Sequence, residues 1–129
     1  MYEQDYIMRQ IDDLARAIAK MFFNVNVESP ATEIIKDMQA MEKAQELLQK
    51  SDEGKICYAE ADLFDLIKDN SLDNLLVGLK FYTYVNSKDD EELIRNNFSH
   101  VKVKAGITRL LTEYGLENMA DLFFFEEIE

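Results

Sequence analysis

Apolar residues recur at steps of three and four along almost the whole chain, the mark of helices that each bury one face. The pattern is clearest between Glu53 and Asn86. Ile56, Ala59, Leu63, Leu66 and Ile67 keep the spacing, Asp69-Asn70-Ser71 breaks it, and Leu72, Leu75, Leu76, Leu79 and Tyr82 resume it. This predicts a helical hairpin. Neither stripe can be buried by one partner alone, so helices on both sides must cover the pair, and an all-α layered domain follows.

Taken in order, Ile7, Ile11, Leu14, Ala15, Ile18 and Phe22 predict a first helix over Tyr2 to Phe22. Asn24 to Glu28 alternates, but five residues with no partner strand read as a linker. Ser29-Pro30 has the cap and first-turn chemistry of a second helix, with Ile34, Ile35, Met38, Met41 and Leu48 carrying its stripe to about Lys50. Ser51 to Gly54 breaks the chain before the hairpin, and Ser71 caps the hairpin's second helix. Ser87 to Glu92 starts a short helix with an acidic first turn, as the helix dipole favours. Phe98-Ser99 starts another: Ser99 as N-cap sets Phe98 against Val103 in a hydrophobic staple, and Gly115 supplies a left-handed stop. His100 to Lys104 also alternates, but the helical period of Val103, Ile107, Leu110, Leu111 and Tyr114 outweighs it. A last helix spans about Glu117 to Glu127. The prediction is one all-α domain over residues 1–129, of about seven helices in antiparallel pairs, packed as a bundle or a right-handed superhelix.

Composition supports helix: four Gly and one Pro in 129 residues leave little turn chemistry for a β fold. The net charge is −12, shared equally by the two halves. That field disfavours nucleic acid and anionic membrane surfaces as partners. No run approaches the roughly 20 apolar residues of a membrane span, and acids stand near the N-terminus where a secretory signal carries lysines. Cys57, the single cysteine, excludes an internal disulfide. Together these predict a cytoplasmic chain.

The opening Met1-Tyr2-Glu3-Gln4-Asp5-Tyr6-Ile7-Met8-Arg9-Gln10-Ile11, the Asp52-Glu53-Gly54-Lys55-Ile56 turn, Glu91-Glu92-Leu93 and the Asn97-Phe98-Ser99 cap resemble an uncharacterised family of short, acidic bacterial helical proteins. The resemblance covers nearly the whole chain. It implies helix pairs stacked as in tetratricopeptide repeats and no assigned activity. Val77-Gly78 and Phe81 fit the repeat pattern; Asp90 and Lys102 stand where its alanine and proline belong, and no second copy follows at about 34 residues.

The chemistry is mostly exclusion. One histidine, His100, cannot furnish a di-iron site of two Glu-x-x-His motifs, a His-Glu-x-x-His zinc site or a three-histidine centre. No nucleotide loop or nucleophile elbow is present. Cys57 reads as a small buried hydrophobe and His100 as an exposed cap residue, in preference to a nucleophile and its base. Asp12-Asp13 and Asp89-Asp90-Glu91-Glu92 read as solvated helix faces. The sequence thus assigns no catalytic, cofactor-binding or metal-ligating residue.

Two features point to binding. Between Glu92 and Glu113 there is no acid, but Arg95, Lys102, Lys104 and Arg109 are present, a candidate contact for an acidic peptide; neutralisation by acids on neighbouring helices is the plainer account. Phe123, Phe124 and Phe125 cannot all face one core, since successive helical residues turn by about 100°, so one is expected to face outward, against the first helix or in a homodimer. The functional expectation is a non-enzymatic module for binding a protein partner or itself. The alternative is a small-ligand pocket or active site between helices, lined by Tyr58, Tyr82, Cys57 and nearby carboxylates.

Overall fold

The computed structural model describes residues 2–27, 35 and 37–124, with side chains from residue 5 onward. Among these it holds seven α-helices and no strand. They are α1 (Tyr2–Phe23), α2 (Met38–Asp52), α3 (Ile56–Leu66), α4 (Leu72–Asn86), α5 (Asp90–Arg95), α6 (His100–Glu113) and α7 (Glu117–Phe123); a 3₁₀ turn, Ile67–Asp69, closes α3.

Local chemistry sets the boundaries. The side chains of Asp37, Ser71, Asp89 and Ser99 each accept from the backbone N–H three residues on, satisfying one of the orphan donors of a helix start. At the other ends the chain turns through left-handed residues: Asn24, Gly54, Asn70, Asn97 and Gly115. After α6, Leu116 N–H donates to Leu111 O at 2.7 Å and Gly115 N–H to Thr112 O at 3.0 Å, a Schellman stop at the predicted glycine. Phe98 and Val103 are both buried, as the staple requires.

The second helix differs from its prediction. Residue 35 is not helical and Asp37 is an extended N-cap, so the described helix begins at Met38. Ser29-Pro30 and Ile34 lie outside the described residues. The buried face of α2 is Ala40, Ala44, Leu47 and Ser51, with Met38 exposed and Met41 and Leu48 half-buried. Small side chains let its backbone lie close to α3 and α4, and that close approach selects the alanine face over the methionines.

The predicted hairpin is α3 and α4, and α4 is the axis of the fold. It packs against α1, α2, α3 and α6. Leu75, Leu76, Val77, Leu79, Phe81, Tyr82 and Val85 are all buried, so α4 is covered all round, not along one stripe; Leu72, predicted inside, is exposed. On α1, Ile11, Leu14, Ala15 and Ile18 are buried as predicted, while Phe22 is exposed.

Two glycines fix how α4 meets α6. A Cβ on Gly78 would lie 2.7 Å from the Leu110 side chain, and one on Gly106 would lie 2.5 Å from the Tyr82 hydroxyl. Each helix thus offers a glycine and, one turn later, a bulky side chain that fills the other's gap. The order of the pairs, 78 with 110 and 82 with 106, makes the two helices antiparallel.

Candidate interaction groove

Because α3 and α6 both pack beside α4, a groove runs between them. It contains a hollow of about 400 Å³ lined by Cys57, Glu60, Ala61, Phe64, Asp65, Lys68 and Arg109. The Arg109 guanidinium lies over the Phe64 ring, 4.0 Å from its centre. Such stacking holds the planar fork by a cation–π contact and leaves its N–H edges open. Tyr82 OH donates to Glu60 Oε2 at 2.6 Å. Burial, then the Glu60 charge and hydrogen bond, push the Tyr82 phenol well above its ordinary pKa; Arg109 pulls weakly the other way.

The four predicted cations do not form one patch. Lys102 and Arg109 are exposed on the same face of α6, seven residues apart. Lys104 lies on the opposite side, its ammonium 5.1 Å from the centre of the Phe124 ring. Arg95 is exposed on α5. Among the described residues Arg95, Lys102 and Arg109 form no ion pair, although Glu60 and Asp65 line the same hollow as Arg109; Lys102 donates to Asn97 O at 3.0 Å. Phe123 and Phe124 are half-buried, Gln10 of α1 donates to Phe123 O at 2.9 Å, and Leu122 is the exposed apolar residue of α7. Phe125 lies outside the described residues.

Cys57 and His100 exchange their predicted environments. Cys57 is exposed, with Sγ 3.9 Å from Asn96 O, while His100 is buried and both its ring nitrogens are engaged by groups other than the thiol. No nucleophile–base contact exists between them. Three acceptors distant in sequence draw the imidazole inward, and no local pattern announces them.

A second polar cluster centres on Lys88, which sequence reading passed over. Its ammonium, largely buried, donates to Asp52 at 2.9 Å and Glu92 at 3.0 Å and lies 5.0 Å from the centre of the Tyr84 ring. Burial works against the charge, but the hydrogen bonds to Asp52 and Glu92 more than offset it and hold the lysine pKa above its ordinary value. The same lysine, followed by the Tyr84 hydroxyl, holds the Asp52 carboxyl below the usual range. This cluster ties the end of α2 to α4 and α5.

A larger hollow, about 500 Å³, separates the start of α2 from the turn before α4; Asp37, Glu42, Glu46, Asp69 and Asp73 face it with Lys43. Among the described residues no group of three or more His, Cys, Asp and Glu side chains is arranged to hold a metal ion, and no helix is long and apolar enough to cross a membrane.

These features define an all-α protein built round one central helix, with a groove between α3 and α6 and exposed Lys102 and Arg109 on α6. The model of a family of unknown function, DUF6483, matches residues 1–115, and the chain belongs to that family. Comparison with curated proteins and with solved structures gave no match.

Proposed function

We propose that this chain is a non-enzymatic interaction module that takes an acidic segment of a protein partner along the Lys102–Arg109 face of α6, seated in the groove shared with α3. Arg109 carries the reading. In a chain of net charge −12 it forms no ion pair among the described residues, yet it is braced on Phe64 at an exposed position. An arginine so held binds a carboxylate in two parallel hydrogen bonds at little further cost in side-chain freedom. Being exposed, the contact is screened by salt. The test is fluorescence anisotropy with a labelled Glu-rich peptide. Lys102→Glu with Arg109→Glu is expected to lower affinity at least tenfold, about 1.4 kcal/mol, while Lys43→Glu on α2 leaves it unchanged. Equal affinity in both variants sinks the reading.

Self-association is a second form of the same reading, supported by exposed Leu122 beside the half-buried Phe124. Sedimentation decides it: a chain that is monomeric with and without Phe124→Asp does not self-associate through α7. A small-ligand role draws on the convergence of Glu60, Tyr82 and Arg109 at the α3–α6 hollow. A metabolite that raises Tm in wild type but not in Arg109→Ala, with no peptide bound, favours it.

A further inference from the structure

His100 is the first residue of α6 and is 3% exposed. Its Nδ1 lies 3.0 Å from Asp90 Oδ1; its Nε2 lies 3.1 Å from Asn86 O and 3.0 Å from Lys88 O. All three oxygens face the ring as acceptors when Asp90 is ionised. A neutral imidazole has one N–H and one lone pair. With the hydrogen on Nε2, the Nδ1 lone pair faces a carboxylate; with it on Nδ1, the Nε2 lone pair faces two carbonyls. Only the doubly protonated ring satisfies every contact.

The charges around it agree. Asp90 supplies a carboxylate from α5, and the Asn86 carbonyl belongs to the last residue of α4, the negative end of that helix dipole. The Lys88 ammonium is shared between Asp52 of α2 and Glu92 of α5, so that cluster carries more negative than positive charge. On α1, Asp12 accepts from the Asn86 side chain at 3.0 Å. Lys104, one turn along α6, extends to Phe124. The positive N-terminal end of α6 acts the other way.

The ring joins the end of α4, the following turn and α5 to the start of α6. Alpha-5 is six residues long and takes no part in the extensive helix–helix packings; Leu93 and the following Phe98 are its buried apolar anchors. We infer that His100 is a proton-dependent clasp, which holds α5 against the α4–α6 pair while both ring nitrogens carry hydrogen and releases it when one is lost. This stands on the geometry alone, whichever partner the chain meets. The clasp forms where Asp90 is ionised and the ring charged. It is therefore lost when either ring nitrogen gives up its hydrogen, and when the Asp90 carboxylate takes one up.

Amide hydrogen exchange, expressed as protection factors, is measured from about pH 5.5 to 8.5 on the intact chain alongside ¹⁵N spectra of the ring. Both ring nitrogens are expected to be protonated at the acid end, and protection at Leu93 and Phe98 to fall at least tenfold as one proton leaves, with Leu79 of α4 unchanged. His100→Gln is expected to remove the step. Asp90→Asn, at the rim of the cluster, serves if His100→Gln fails to fold, and is expected to move the step to lower pH. A singly protonated ring at pH 5.5, constant protection across the range, or a step at the wild-type pH in Asp90→Asn overturns the inference.

Discussion

Gly106 is the position where one methyl group has the largest predicted effect. Alanine is the better helix former by about 1 kcal/mol, but its Cβ would stand 2.5 Å from the Tyr82 hydroxyl and 2.6 Å from Glu60 Oε2. Tyr82 is fully buried and cannot swing aside, so overpacking of about 1–3 kcal/mol outweighs the propensity gain. Urea denaturation of Gly106→Ala should show a net loss of up to about 2 kcal/mol; a gain would mean that Tyr82 yields. Gly115 is the contrasting case: nothing lies within 4 Å of an added Cβ, and only its φ of +72° resists substitution. The phenols give a second residue-scale prediction. Burial, then Asp69, pushes Tyr114 up to about 12, and Tyr82 is raised further. The fold favours the neutral phenol, so this stability is present below the ordinary value near 10 and is lost as pH rises through the folded values. An absorbance titration of the six tyrosines should show Tyr82 and Tyr114 ionising only as the chain unfolds. Six phenols titrating together near about 10 would contradict this.

Helices were legible in the sequence where their information is local. Ser71, Ser99 and Gly115 act on backbone groups within a few residues, and the structure uses each as its spacing predicts. Ser99→Ala should accordingly cost about 1 kcal/mol in thermal unfolding, and Ser99→Asp should restore most of it; equal stability of the alanine variant would show that the staple alone starts α6. What was not legible is fixed by distant neighbours. The alanine face of α2 hides because alanine contributes little to an apolar stripe. The Gly78–Leu110 and Tyr82–Gly106 pairs exist only once α4 and α6 cross. His100 is buried by oxygens 10 to 14 residues away, and Cys57 is exposed because it lies off the Ile56–Ala59–Leu63 line. The groove was half legible: Cys57, Glu60 and Phe64 share one face of α3 by helical spacing, but Arg109 joins them only through the packing of α3 and α6 on α4.

For the whole molecule, Lys88 matters because it is a nearly buried cation in a strongly anionic chain, and it joins three helices at one point. Its partners Asp52 and Glu92 retain 52% and 36% of their side-chain exposure, so removing the lysine strands neither carboxylate. Lys88→Met should keep the stem's packing and lose the charged hydrogen bonds, about 1 kcal/mol at neutral pH after allowance for solvent screening. The pH dependence separates this from a packing effect. Because the Asp52 carboxyl is held low, its contribution is present above the ordinary carboxylate value and is lost as pH falls through the folded one. Below that range the wild type retains a desolvated ammonium facing neutral acids, whereas the methionine variant buries none. The two stability curves should therefore converge on acidification and then cross, with Lys88→Met the more stable protein at the acid end. Parallel curves down to about pH 3 would assign the role of Lys88 to its hydrocarbon stem.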